Sequence, residues 1–326
     1  MTKHEIRWWY RTGLLCAMLA ASTNVVAQTY PAKPVRIVVG FAAGGSVDVL
    51  ARIVAQKLGE FWGQSVIVEN RVGAGGNIST EVVVKSPADG HTLLLHTSAI
   101  AANVSLYRNL PFDTLRDIAP IMNVASTNGV LLVPPSLPVQ SARDLIAFTK
   151  AQPGKLSYGT TGNGSSGHLF MGLLINMTGV DAVHVPYKNI SQLYTDLISG
   201  RIQISFNTLP GAIAHINSGK VRALAVTANR RTELFPELPT MQESGVAGFE
   251  ATTWYGTFAP AGTPGAVIAR INADTQRLLA LADVRQRFAA AGLDAQGDTP
   301  EHFAKYLREE IAKWSSVIKS TGMQLE

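Results

Sequence analysis

The residues best equipped for chemistry sit in two glycine-rich turns. "YGTTGNGSSGHL", from Tyr158 to Leu169, sets Gly162, Gly164 and Gly167 in G-x-G-x-x-G spacing between a short apolar run and an amphipathic one, which is how a dinucleotide-binding turn is written. "GFAAGGSVD", from Gly40 to Asp48, ends another apolar run and opens another helical pattern. A turn that feeds a helix presents backbone N–H groups without intrahelical partners, at the positive end of the helix dipole, so it suits an anion. Thr160, Thr161, Ser165 and Ser166 add hydroxyls to the second turn; either serine serves equally as a helix cap. A dinucleotide needs an acid at the end of the next strand for its ribose, whereas "AVHVPYKN" ends in Tyr187, Lys188 and Asn189, with Asp181 at the opposite end. No lysine follows the glycines, which excludes a Walker loop. A carboxylate fits these donors better than a cofactor.

Other side chains carry two readings each. Ser98 ends "LLLHTS" where a cleft would lie, or makes a turn. His168 opens the helix after the second turn, as a ligand contact or, by preference, as a packing histidine. Tyr187 and Lys188 can supply a hydroxyl and an ammonium, although a lysine there is more commonly solvated. Asn207, ending "IQISFN", is a cleft candidate. Trp254 and Tyr255 cover a ligand or, by preference, fill a hinge. Asp48 lies in the first turn of its helix, where it stabilises that helix and braces the loop; a ligand carrying an ammonium would make it a direct partner.

Enzyme readings have little support. The seven histidines show no H-E-x-x-H spacing, so no metal site is expected, and Gly164-Ser165-Ser166-Gly167 is not a G-x-S-x-G elbow. No cofactor is expected, and an exported NAD-dependent oxidoreductase survives as the alternative only through the glycine pattern.

The elements that must position these turns alternate along the chain. "VRIVVGF" reads as a buried strand, and Val47, Leu50, Ala51, Val54 and Leu58 follow at helical spacing. "SVIVENR" and "HTLLLHTS" are the next strands, separated by a third glycine turn, "NRVGAGGN", which either lines the same rim or is only a turn. This βαβαβ order implies a parallel sheet covered on both faces. Around "APIMNVASTNGVLLVPPSLP" the composition shifts, as a crossing between lobes would. The alternation then resumes through "KLSYG", "AVHVPY", "SQLYTDLISG", "IQISFN", a helix from about Gly211 to Ser218, and "VRALAVT". Two helices follow "TTWYGTFAPAGTP", starting at Thr263-Pro264 and Thr299-Pro300; the last places Phe303, Leu307, Ile311, Trp314 and Ile318 on one stripe. Lacking strands of their own, they are expected to pack back on the first lobe. The expected division is a signal at 1–27, lobe 1 from 28 to 125, lobe 2 from 126 to 244, and a return to lobe 1 from 245 to 326. In open α/β sheets ligands sit at the carboxyl ends of strands, so one turn from each lobe would face one cleft, suiting a ligand with separated carboxylates.

Composition is consistent with this. Lys3, Arg7 and Arg11 precede the short apolar stretch "GLLCAMLAA", and "VVA" ends at Ala27, which reads as a cleaved secretory signal. The sole cysteine, Cys16, lies inside it, so the mature chain has no thiol or disulfide. The formal charge of +5 falls to +3 once the three basic residues and the one acid of that segment are removed. Nothing resembles a basic stripe interleaved with aromatics, so no nucleic-acid partner is expected.

The ordered series "VVGFAAGGSVDVLAR", "VIVENRVGAGGN", "DGHTLLL", "YGTTGNGSSGHL", "VPYKN", "LISGRIQISFN", "LPTMQESG" and "WYGTFAPAGTP" resembles the Bug-type receptors, extracytoplasmic solute-binding proteins related to tripartite tricarboxylate transporters. The resemblance spans essentially the whole mature chain; Gly40 departs from it, standing where many relatives carry proline. It implies an α/β, two-lobed periplasmic-binding-protein fold (type II-like), with a cleft between parallel or mixed sheets flanked by helices. It also implies a monomer that hands a small carboxylated solute, an amino acid or nicotinate included, to membrane transporter subunits or a sensor. The ligand would be held by the turns Phe41 to Asp48 and Thr160 to Ser165. Carried over, Ala42, Ala43, Gly44 and Ser46 are backbone or water-mediated contacts and Phe41 is a wall, with Thr160, Thr161, Gly162, Gly164 and Ser165 opposite.

Overall fold

The computed structural model describes residues 30–41, 43–162, 164–187 and 189–323. The export signal read at 1–27, together with Ala42 and Lys188, lies outside the described residues. Met1–Ala32 and Lys33–Glu326 are separate units; the description below concerns the second.

The chain opens with β1 (Val35–Val39), whose VRIVV sequence is almost wholly buried, as a parallel strand covered on both faces must be. α1 (Ser46–Trp62) follows and stops at Gly63, which takes the left-handed conformation with φ 63°. β2 (Val66–Asn70), α2 (Asn77–Val84), β3 (Thr92–Thr97) and α3 (Ala99–Leu106) complete the first half. β1 pairs in parallel with both β2 and β3, as the alternating pattern requires.

The crossing segment is one long strand, β4 (Ile118–Val133), well beyond the usual five or six residues. The second half then runs α4 (Ala142–Lys150), β5 (Ser157–Thr160), α5 (Ser166–Thr178), β6 (Val183–Pro186), α6 (Ile190–Ile198), β7 (Ile204–Thr208), α7 (Leu209–Asn217) and β8 (Arg222–Val226). α7 starts two residues before the expected Gly211, because Thr208 caps it in an extended conformation and Pro210 fits its first turn. β9 (Thr252–Pro260), α8 (Gly265–Leu279), α9 (Ala282–Ala290), β10 (Asp294–Ala295) and α10 (Pro300–Thr321) close the chain.

The sheet order is β2-β1-β3-β9-β4-β7-β5-β6. β4 joins the halves by pairing antiparallel with β9 over Ile118 to Asn128, then with β7 and β8 over Gly129 to Val133. Its register against β9 shifts at Pro120/Met122 and Asn123/Ala125; such bulges bend a strand and increase its twist.

The tail helices only partly follow the expectation. α8 packs on α1, but α10 packs on α3 of the first half, on α5 of the second and on β4 between them. Phe303, Leu307, Trp314 and Ile318 are buried as the stripe predicts, and Val317 joins them. The face is wider than one stripe: Val317 and Met323 come up against Gly172 of α5, and Asn176 donates to the Ser320 hydroxyl at 2.5 Å. Glu310, 3% exposed, accepts from the indole N–H of Trp254 at 2.9 Å and of Trp314 at 3.1 Å, and pairs with Lys313.

Candidate ligand site

A cavity of about 470 Å³ lies where the two halves meet. Its first wall is the turn after β1: Phe41, Gly45, Ser46 and Val47 line it. Gly45 caps α1 with extended backbone and no side-chain bond, so the first-turn amides of Ser46 and Val47 are left to a ligand or solvent. Asp48 faces away from the cavity. Its carboxylate, 2% exposed, takes both Arg52 Nε (2.8 Å) and a terminal Arg52 nitrogen (2.9 Å), the Gly44 N–H (2.9 Å) and Asn70 Nδ2 (3.0 Å). The Arg52 hydrogen bonds, helped by Gly44 and Asn70, outweigh burial and hold it at about 2. Asn70 also bonds the Phe41 carbonyl at 3.0 Å. The turn is therefore tied from behind, and the Gly44 amide is committed to Asp48 rather than open to a ligand. Ala43 is exposed outside the lining.

The opposite wall is the turn before α5: Thr161, Gly164, Ser165 and Ser166 line the cavity. Ser165 caps the helix, accepting the His168 N–H at 3.4 Å. Thr160, which is buried, and Gly162, which is partly exposed, do not line the cavity. The Thr160 hydroxyl accepts the Gly162 N–H at 3.2 Å and lies 2.7 Å from His184 Nε2. His168 packs rather than lines: its Nδ1 accepts the Gly164 N–H at 3.1 Å, and its ring stacks on His184 with centroids 4.2 Å apart.

β9 forms the floor and connects the two turns. Thr253 and Tyr255, two residues apart, face the cavity, as period-2 side-chain alternation requires. The Tyr255 hydroxyl donates to Ser46 Oγ at 3.0 Å, and Thr253 Oγ1 donates to Ser166 Oγ at 2.8 Å. Ser46 and Ser166 are the first residues of α1 and α5, so one strand ties the starts of both helices. Burial raises the Tyr255 phenol to about 12, keeping it a donor at neutral pH. Trp254, between them, points to the other face and packs edge-on against Phe303 and Tyr306. Trp254 thus packs away from the cavity, while Tyr255 lines it. Thr97 and Thr208 from strand ends, Ala99 from the start of α3, and Gly75 from the third glycine turn complete the lining.

Three further candidates stand off the cavity. Ser98 is 3% exposed, and its N–H donates to the Trp254 carbonyl, while its neighbours on either side line the site. Tyr187 is buried and donates to Asp196 at 2.8 Å. Asn207 bonds Ser205 at 3.0 Å, and Thr208 takes the place it was expected to fill. The lining that sequence reasoning missed, Gly45, Val47, Thr97, Ala99, Thr208 and Thr253, sits one or two residues from residues it had singled out; Val47 it read only as core, and Tyr255 it weighed but placed by preference in a hinge.

No charged side chain lines this cavity among the described residues. What it offers an anion is two helix starts, a ring of hydroxyls and an apolar wall of Phe41, Val47 and Ala99. A separate hollow of about 350 Å³, lined by Thr127, Asn128, Arg230 and Asp294 among others, is reached by neither glycine turn. Among the described residues no group of three or more His, Cys, Asp or Glu could hold a metal ion, and no helix is long and apolar enough to cross a membrane.

The sequence pattern of the tripartite tricarboxylate transporter family receptors matches residues 50–323. The chain belongs to this family. BugT of Bordetella pertussis is 37% identical over 96% of this receptor and 97% of its own length. Among solved structures, Rpa4515 of R. palustris with adipate superposes with a TM-score of 0.79 at 36% identity, covering 90% of this receptor and 98% of that chain. MatC of Rhodopseudomonas palustris with bound malate superposes at 0.76 and 29% identity, covering 89% and 100%. The receptor thus has the two-lobed α/β fold of periplasmic binding proteins, with mixed sheets flanked by helices, and is a solute-binding protein of that family.

Proposed function

We propose that this receptor is exported through the signal at 1–27 and captures a small dicarboxylate in the periplasm. Lobe 1 (28–125 with 245–326) and lobe 2 (126–244) would close on the solute and present it to membrane transporter subunits. The observation that carries this reading is the β9 connection: Tyr255 on Ser46 and Thr253 on Ser166 bring two anion-ready helix starts to one cavity. Phe41, Val47 and Ala99 suit a carbon spine between two carboxylates. The relatives solved with adipate and with malate support the ligand class. Asp48 is spent on Arg52, so an ammonium finds no carboxylate in the lining; this favours a plain dicarboxylate over an amino acid. Closure would expel water and strengthen each hydrogen bond to the anion. Binding without catalysis and a monomeric state complete the proposal.

Thermal unfolding with adipate, malate, glutamate and NAD tests it. A ligand at 100 times its Kd adds about 2.7 kcal/mol of stability, which raises Tm by on the order of 5 °C for a chain of this size. Adipate or malate should produce that shift and NAD none. A shift with NAD alone would favour the oxidoreductase reading and end this one.

A further inference from the structure

Behind the second glycine turn lies a stack of three rings that the ligand site does not itself use. His184 lies against Tyr158 on one side, centroids 4.8 Å apart, and against His168 on the other at 4.2 Å, all nearly parallel. Each imidazole reaches the turn. His184 Nε2 lies 2.7 Å from the Thr160 hydroxyl, and His168 Nδ1 accepts the Gly164 N–H at 3.1 Å. Gly164 is at φ 75° and lines the cavity.

The Gly164 bond exists only while Nδ1 carries no proton, since a protonated ring turns that nitrogen into a donor facing a donor. His168 is the third residue of α5, where the helix dipole opposes a positive charge. Its ring is 6% exposed, so burial, with the neighbouring His184 adding to it, holds its titration down at about 4.

We propose that His168 is a positioning residue for the second glycine turn: its unprotonated ring holds the Gly164 amide and sets the turn for the ligand, and it lets go on taking a proton. The loop geometry stands independently; the effect on binding rests on the ligand reading above.

Of the groups that surround His168, its neighbour His184 is the other titrating imidazole, and only His168 bonds the Gly164 amide. β5 and β6 bring Tyr158 and His184; β4 and β7 contain no titratable residue. α3, whose Leu106 approaches Gly164, contains none either. α10 meets α5 further along, at Gly172 and Asn176, with Glu310, Lys313 and Lys319 on that stretch, and among described residues only His184 acts on His168 through its charge.

The test has a ligand-free arm and a binding arm. In the ligand-free arm, NMR of the isotope-labelled full mature protein from pH 7.5 to 3 follows the His168 ring nitrogens and the Gly164 amide. Both should move with one midpoint, and the Gly164 amide should stop responding in His168→Asn, whose side-chain oxygen keeps an acceptor but does not titrate. In the binding arm, adipate is titrated calorimetrically into wild type and His168→Asn at pH 7.5 and 3.5, each referred to its own affinity at pH 7.5. Adipate protonation is common to both, so with His168 titrating at about 4 the wild type should lose about fourfold more at the lower pH, and His168→Leu, without an acceptor, should bind weakly at both pH values. A Gly164 amide indifferent to His168 titration overturns the proposal, and this needs only the wild type if the variants misfold. So does a wild-type affinity that rises in acid relative to His168→Asn, as simple attraction between imidazolium and anion would give. If adipate binds nowhere, the ligand reading has failed, and the ligand-free arm still decides the role of His168.

Discussion

Asp48 illustrates how a buried carboxylate acts at a site without touching the ligand. Its charge is matched by Arg52 and spread over the Gly44 and Asn70 amides, so its effect passes through the backbone of the turn. Arg52 is more than half exposed, so solvent screens much of the ion pair's contribution to stability, and the Gly44 and Asn70 amides add to it. Asp48→Asn should lower unfolding stability by about 1–2 kcal/mol and weaken dicarboxylate binding more than an equally destabilising change far from the turn; urea denaturation and calorimetry measure the two. The carboxyl titrates below its ordinary 3.8, at about 2. The stability it contributes is therefore full above pH 3.8 and is lost as pH falls toward 2, a loss Asp48→Asn should not show. His168 has the opposite chemistry but the same direction. Its ring titrates below its ordinary 6.5, so its unfolded form takes a proton first and stability falls as pH drops from 6.5 toward 4. At this scale the sequence placed Asp48 in a first turn and His168 at a helix start and preferred bracing and packing there, yet left ligand contact open. That choice depended on Arg52 and Asn70 for one and on His184 for the other.

The two helix starts are the elements that make the site, and glycine lets them approach their neighbours. A Cβ on Gly167 would come within 2.4 Å of the Phe206 carbonyl oxygen, so α5 lies against β7 too closely for any side chain. At Gly164 the added carbon would stand 2.5 Å from Leu106 Cδ2, across the meeting of the halves, and the backbone is left-handed. Gly164→Ala should cost about 1–2 kcal/mol from the backbone alone, plus the clash. In a Leu106→Ala background the clash part should vanish and the backbone part remain, giving a non-additive cycle by urea denaturation. An additive cycle would show that the halves do not touch there. The strands and helices were legible because their signals are local: continuous apolar runs for β1 and β3, a threonine cap and proline for α10. The long β4 was legible only as a crossing, since its bulges arise from pairing with β9 more than a hundred residues later.

Across the whole molecule, α10 and β9 hold the halves in register. Glu310 on α10 receives Trp254 of β9 and Trp314 of its own helix, while the neighbours of Trp254 on β9 tie down Ser46 and Ser166. Trp254→Phe keeps the ring packing against Phe303 but removes one donor from a buried carboxylate, at a cost of about 1–3 kcal/mol. Glu310→Gln in the same background should recover part of that loss, because the remaining group no longer carries a charge; thermal denaturation of the single and double variants checks it. No recovery would mean that Glu310 depends on Lys313 and not on the indoles.

The amino-acid order was enough for the alternation of strands and helices, the two glycine turns with their helix starts, and the family they resemble, because each rests on spacing between near neighbours in the chain. Which side of a residue meets the cavity was settled by folding. Tyr255 and Trp254 are adjacent in sequence and part company because successive strand residues face opposite ways, and which face is wet depends on α10 covering the other. The same holds for the charge of Asp48, the neutrality of His168 and the reach of α10 across both halves: each is fixed by partners that the chain brings together from far apart.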